Sequence, residues 1–151
     1  MAGLSGIINV YKPKGITSHD VVYKLRKILG IKKIGHTGTL DPDAEGVLPM
    51  CIGRATKTAD MLTAADKEYM AEVTLGSSTD TQDSSGAVIK SVEMDDFIVS
   101  SDDIENVVAK YIGDINQLPP MYSAIKIGGK KLYELARQGI EIERKPRSVK
   151  I

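Results

Sequence analysis

The chain has 151 residues, 42% of them hydrophobic and 26% charged, which is enough apolar side chain for one ordinary core and unlike a disordered protein. Basic and acidic residues balance overall but segregate: seven basic against one acidic over 1–40, five against sixteen over 41–120, and eight against three over 121–151. No apolar run approaches the roughly 18 to 20 residues of a membrane helix, no signal peptide precedes Gly6, and a single cysteine precludes an internal disulfide; together these predict a soluble cytoplasmic domain and exclude a disulfide scaffold.

GIINVYKP (6–13) is an apolar, β-branched run that stops at Pro13-Lys14-Gly15, the pattern of a strand entering a turn. Thr17 and Asp20 give a capping-box start, and Val21, Val22, Leu25, Ile28 and Leu29 recur at helical spacing before Gly30, which predicts a helix over 17–29. Its other face carries Lys24 and Lys27, with Lys32 and Lys33 just beyond. Residues 35–46, GHTGTLDPDAEG, hold three glycines and no apolar periodicity, and so predict a loop. VLPMCIG (47–53) reads as a buried strand with Cys51 as a small hydrophobe, and ATKTADMLTAAD (55–66) as a helix. KEYMAEVTLG (67–76) alternates like a strand, with Tyr69, Ala71, Val73 and Leu75 on one side. TDTQDSSG (79–86) is a polar turn, and AVIKSV begins another strand. Ser100 and Asp103 cap a helix over 100–115 that places Ile104, Val107, Val108 and Tyr111 on one stripe. MYSAIKI (121–127) is strand-like, KKLYELARQ (130–138) is a short helix closed by Gly139, and RSVKI begins a last strand.

Strands and helices alternate irregularly, without a steady βαβ rhythm or a Gly-rich first turn, which predicts an α+β fold: a mixed, mainly antiparallel sheet with flanking helices. A strand reaching Val149 and Ile151 with no turn or partner to follow suggests the front part of a longer chain. The two basic flanks could form one face for a polyanion, or be solvated faces that merely alternate in sign. Gly128-Gly129-Lys130-Lys131 lacks the upstream glycine and the hydroxyl residue of a phosphate-binding loop, so no nucleotide cofactor is expected. His19, His36 and Cys51 fall at no zinc spacing, and TDTQDSSG lacks the distal glutamate of a calcium loop, so no metal is expected either.

The densest segment is GHTGTLDPDAEGVLP (35–49). Pro42 pushes Asp41 away from helical backbone and holds it extended on a loop. A carboxylate so presented could serve as a nucleophile or a base, and the same string is also that of an ordinary Asp-Pro turn.

That string closely resembles the signature GHTGxLDPxAxGxLP of the TruB family of tRNA pseudouridine synthases. GIINVYKPKGITSHDVV resembles the family's opening strand and helix, KEYMAEVTLGSSTDTQDSSG its second block and QLPPMYSAIKIGGKKLYELARQGIEIERKPR its third, four blocks in order over essentially the whole chain. The resemblance implies the pseudouridine synthase fold, incomplete over residues 1–151. It also implies isomerisation of the T-loop uridine (position 55) of tRNA, in which a C1′–C5 bond replaces the C1′–N1 bond. The expected partner is the tRNA T-arm stem-loop, with no cofactor and no membrane, and a full-length form is expected to be a monomer.

By the same resemblance Asp41 is the catalytic aspartate, and Tyr69 stacks on the target uracil and assists proton removal at C5. His36 contacts the RNA where the base has left its stack. Asp83 steadies the active-site arginine, and Tyr122 and Lys126 line the cleft. These residue types suit the chemistry, because a uridine must be flipped out at a cost of a few kcal/mol and aromatic stacking recovers ~1–3 kcal/mol per base. Family members continue into a segment resembling CSKGTYIR, whose arginine pairs with the catalytic aspartate, and usually into a small RNA-binding PUA domain. Residues 1–151 are therefore expected to be the N-terminal part of the catalytic domain, with negligible turnover by themselves. Two rival readings stand beside this one: a catalytically silent tRNA-binding module, and a dimeric assembly in which a second copy supplies missing strands.

Overall fold

In the computed structural model, which describes residues 3–93, 98–123 and 125–151, the first apolar run forms strand β1 (Gly6–Lys12). Helix α1 (Ser18–Leu29) follows on the predicted cap: the Asp20 amide donates to Thr17 Oγ1 at 3.0 Å, while the Thr17 hydroxyl and amide donate to the Asp20 carboxylate at 2.6 and 2.8 Å. Gly30 ends the helix at φ 65°, a left-handed conformation that costs a residue without Cβ nothing. Two more strands, β2 (Ile34–His36) and β3 (Gly46–Ile52), complete an antiparallel sheet of order β1-β3-β2. The first two residues of the predicted loop, Gly35 and His36, thus belong to an edge strand, and its last, Gly46, opens β3. Beyond β3 come a 3-10 turn (Gly53–Thr58) and helix α2 (Ala59–Thr63), which share the stretch predicted as one helix.

Register explains where the loop departs. β1 and β3 pair over seven residues, from Gly6 opposite Ile52 to Lys12 opposite Gly46, whereas β2 pairs with β3 only from Ile34 opposite Ile52 to His36 opposite Met50. The next residue of β3 is Pro49, which has no N–H to donate. Its carbonyl still accepts from the Thr37 amide at 3.2 Å and the Thr37 hydroxyl at 3.3 Å. The β2–β3 ladder stops there. Val21 and Val22 of α1 pack on Ile34, Leu48, Met50 and Ile52, with Leu25, Leu29 and Leu40 closing the edge of that core. Cys51 is fully buried, as a small hydrophobe should be.

These elements lie in the first of two compact units, Met1–Met70. The second, Ala71–Ile151, holds three two-stranded antiparallel sheets: β4 (Ser77–Thr79) with β5 (Val88–Ser91), β6 (Asp114–Gln117) with β9 (Arg147–Lys150), and β7 (Lys126–Ile127) with β8 (Lys130–Lys131). It also holds helix α3 (Ser101–Val108), a 3-10 turn (Ala109–Tyr111) and helix α4 (Leu132–Ala136). Among the described residues every pairing is antiparallel, so the predicted α+β character holds, as four small sheets instead of one.

Several predicted elements differ in extent. Residues 67–76 form no strand, and Tyr69, Val73 and Leu75 are exposed; alternation supplies a face to bury but no ladder, and among the described residues the run's one backbone tie to another segment is at its end, where the Gly76 carbonyl accepts from the Val92 amide at 2.8 Å. The helix predicted over 100–115 ends at Val108, because Gly113 (φ 90°) exchanges both backbone hydrogen bonds with Ile151 and opens β6. Of MYSAIKI only Lys126–Ile127 are strand, and Ala124 lies outside the described residues. The last strand, β9, has a partner in β6, contrary to the sequence reading of an unpaired end. No helix among the described residues is long and apolar enough to cross a membrane.

The Thr17 hydroxyl and amide hold the Asp20 carboxyl below the usual carboxylate range, and Ser100 does the same for Asp103 in the capping box of α3. A folded-state pKa below the unfolded value gives stability that is present above the ordinary carboxylate pKa and lost as pH falls through the depressed one. Asp20→Asn should therefore lower the urea midpoint at neutral pH and converge with the parent as the solution is acidified. A difference independent of pH would show that the carboxylate charge does not support the cap.

Candidate active site

Asp41 is exposed on the loop between β2 and β3, and among the described residues its carboxylate accepts no hydrogen bond. Its backbone is held on both sides. On the N-terminal side, the Ser18 hydroxyl donates to the Leu40 carbonyl at 3.0 Å and accepts from the Leu40 amide at 2.9 Å. Ser18 is only 2% exposed at the first turn of α1. On the C-terminal side, the Pro42 carbonyl accepts from the Gly15 amide at 2.8 Å and from Lys12 Nζ at 3.4 Å. Gly15 can do this because it turns the chain at φ 84°.

Lys12 is fully buried at the end of β1. Its Nζ also donates to the carbonyls of Pro13 at 3.0 Å and Ile16 at 2.8 Å, so all three ammonium donors face backbone oxygen. One side chain thereby ties the β1–α1 turn to the Asp41 loop. The Asp41 carbonyl in turn accepts from the Ala44 amide at 3.1 Å, which closes a tight turn just after the aspartate.

A cleft of about 450 Å³ opens beside this loop. Leu40, Val47, Leu48 and Pro49 form apolar wall, and Tyr69, 67% exposed, lines the same cleft. Glu45, Asp66 and Glu68 line it against a single cation, Lys67, whose Nζ donates to the carbonyls of Thr63 and Ala65 just past α2. Carboxylates thus outnumber cations in the cleft. His36 ends β2, and its Nδ1 is buried without a hydrogen-bond partner among the described residues.

The first unit therefore carries three of the sequence-predicted residues. The loop of Asp41 and the segment of Tyr69 line one cleft, and His36 leads into that loop. Asp83, Tyr122 and Lys126 belong to the second unit. There the Asp83 carboxylate accepts from the Ser85 hydroxyl, from Thr81 Oγ1 at 2.8 Å and from the Ser85 amide at 2.8 Å. These bonds hold it below the usual carboxylate range and organise its own turn. Gly86 fits that turn because a Cβ would strike Thr81 and Asp80. Tyr122 and Lys126 are exposed, on a segment docked to the start of α4 by hydrogen bonds from the Tyr133 amide to the Ser123 carbonyl and from the Leu132 amide to the Ile125 carbonyl.

Sequence reasoning missed Lys12 and Ser18. Both sit in the segment YKPKGITS, whose only visible signals are a turn and a cap. Lys12→Met should free the loop without emptying the site of side chain, since hydrogen bonds to a charged donor contribute about 1.5–3 kcal/mol. Amide exchange at Gly15 should then quicken by at least about tenfold, and Ser18→Ala should do the same at Leu40. Unchanged exchange in both variants would mean that the loop holds itself.

Residues 26–151 match the model of the TruB family pseudouridylate synthase N-terminal domain. A protein of Listeria monocytogenes serotype 4b (strain F2365), named tRNA pseudouridine synthase B, is 55% identical over 148 residues, covering 98% of this chain and 48% of its own length. A protein of the same name from Bacillus cereus (strain ATCC 10987) is 54% identical over the same proportions. The chain spans about half the length of these curated relatives. Among solved structures, a chain of a Cbf5-Nop10-Gar1 complex aligns with TM-score 0.57 and 29% identity, over 96% of this chain and 33% of that one.

Proposed function

The chain belongs to the TruB family of pseudouridylate synthases, and we propose that it supplies the aspartate, tyrosine and histidine with which such a synthase isomerises the T-loop uridine of tRNA to pseudouridine. The observation that carries this reading is the mounting of Asp41: the peptides before and after it are fixed by Ser18, Lys12 and Gly15, while its carboxylate accepts no hydrogen bond among the described residues, on a loop whose neighbouring residues line a cleft together with Tyr69. Fixed backbone with a free carboxylate suits a nucleophile that must meet a substrate already in place.

In the reaction the C1′–N1 bond breaks, uracil turns, C5 bonds to C1′, the C5 proton leaves and N1 takes up a proton, so that product and substrate are isomers. Ionised Asp41 can hold the sugar or the base covalently, or stabilise the separated pair. In this reading Tyr69 stacks on the flipped uracil, and its hydroxyl helps take the C5 proton. His36 meets the RNA beside the flipped base. Asp83, Tyr122 and Lys126 are supporting residues in this proposal, with Asp83 steadying a cationic partner of the aspartate. The substrate is the T-arm stem-loop, the assembly a monomer and the compartment the cytoplasm. By itself the chain should bind the T-arm with negligible turnover, because the resemblance puts the arginine expected opposite Asp41 in a segment like CSKGTYIR, which residues 1–151 do not contain.

The test grafts the chain in place of the matching half of the Listeria relative. The graft should form pseudouridine in a T-arm substrate. Asp41→Asn should abolish turnover while leaving affinity within about tenfold, roughly 1.4 kcal/mol. Pseudouridine formation by that variant would place the chemistry elsewhere. Tyr69→Phe should slow the reaction with near-parental binding, whereas Tyr69→Ala should also weaken base capture by ~1–3 kcal/mol. Parental rates in both would return Tyr69 to a structural role.

A further inference from the structure

The cleft beside Asp41 is lined by three carboxylates and one lysine, a poor place for a polyanion's phosphates. The opposite end of the same sheet has the reverse character. β3 runs from Gly46 at the Asp41 loop to Ile52, about 20 Å away for seven residues of strand. At that far end the exit of α1, the start of β2 and the turn after β3 come together. Residues 21–40 and 46–59 carry seven cations and no carboxylate, and of these cations Lys32, Lys33, Arg54 and Lys57 lie in the segments that meet at this end.

The place is built, not merely charged. The Gly53 amide donates to the Lys33 carbonyl at 2.8 Å, which joins the two cationic segments. Gly53 sits at φ 60°, and a Cβ there would lie 2.6 Å from the Leu4 carbonyl oxygen, so the N-terminal segment packs directly on this turn. Ser5 Oγ accepts from the Arg54 amide at 2.8 Å and donates to the Ile52 carbonyl at 3.2 Å, fixing that segment. A cavity of about 430 Å³ lies between them, lined by Gly3, Leu4, Ile31, Lys33, Gly53 and Arg54. Lys33 and Arg54 are exposed at its rim, and among the described residues none of the seven cations is in an ion pair.

We propose that this end of the sheet, centred on Lys33 and Arg54, binds the phosphodiester backbone of RNA at a site separate from the cleft that receives the base. An ammonium and a forked guanidinium over a concave floor suit phosphate oxygens, and unpaired cations have no protein carboxylate to give up on binding. The separation lets one RNA place a neutral base among carboxylates while its charged backbone rests on cations. The choice of tRNA as that RNA rests on the proposed function; the site itself rests on the charge and the geometry.

The chain itself is titrated with two fluorescent RNAs, a T-arm hairpin and a loop-free duplex of equal length, at about 50 and about 200 mM salt. Removing two phosphate contacts lowers the slope of log affinity against log salt by about two, so the parent's gain on going to low salt should shrink by about tenfold in Lys33→Ala/Arg54→Ala. Both probes should show it. Lys33→Arg/Arg54→Lys keeps both charges and should retain the parental slope. An unchanged slope with both probes overturns the proposal, as does an equal loss in the charge-retaining pair, which would mark a structural role. A parent that does not prefer the hairpin, with the slope still falling, refutes the T-arm reading and leaves this site standing. A parent that binds neither RNA refutes both.

Discussion

A lysine ammonium buried among three backbone carbonyls holds the first unit's working parts in place. Lys12 terminates β1, yet its Nζ reaches the turn that follows and the loop between β2 and β3. Burying an ammonium is costly unless each donor finds an acceptor, and here the acceptors belong to three residues that the fold must bring together. The arrangement is therefore self-checking. Only a chain with the β1–α1 turn and the Asp41 loop both correctly placed satisfies the charge, so the cost of burying it specifies the loop.

Ser18 adds a second tie of a different kind. Its position in the first turn of α1 lets the hydroxyl serve one peptide as donor and acceptor together, so a helix that is capped correctly also sets the peptide before Asp41. The cap and the loop become one cooperative element. Thr17 starts the helix, Ser18 fixes Leu40, and Val21 and Val22 press the helix on the sheet from which the loop springs. Precision at the aspartate comes from the sheet and helix beneath it, while the Asp41 carboxylate itself stays exposed and without a hydrogen bond among the described residues.

Much of this was legible in the sequence where local chemistry decides structure. The Thr17–Asp20 box and Gly30 bounded α1, and the apolar run VLPMCIG marked the buried strand. Non-local pairing was less legible. Tyr69, Ala71, Val73 and Leu75 alternate as a strand should, but a strand also needs a neighbour, and alternation is silent about that. Gly113 looked like a residue inside a helix until its hydrogen bonds with Ile151 showed it to open a strand. At the site, Asp41, His36 and Tyr69 were named through a family signature. Lys12 escaped notice because a lysine beside a proline reads as surface, and only the fold shows that its end is enclosed.

Pro49 has a consequence for how this architecture could vary. The seven-residue pairing of β1 with β3 fixes register, and a slip of one residue would turn Leu48, Met50 and Ile52 outward, so β3 cannot slide. On its other side the ladder ends at Pro49 through a missing donor, whatever the length of the connection that follows Thr37. An insertion or deletion between Ala44 and Gly46, past the ties at Leu40 and Pro42, is thus decoupled from the sheet and has to appear as a change in the rim of the cleft. Loop length becomes a dial on the width of the entrance, adjustable by single residues while the core stays as it is.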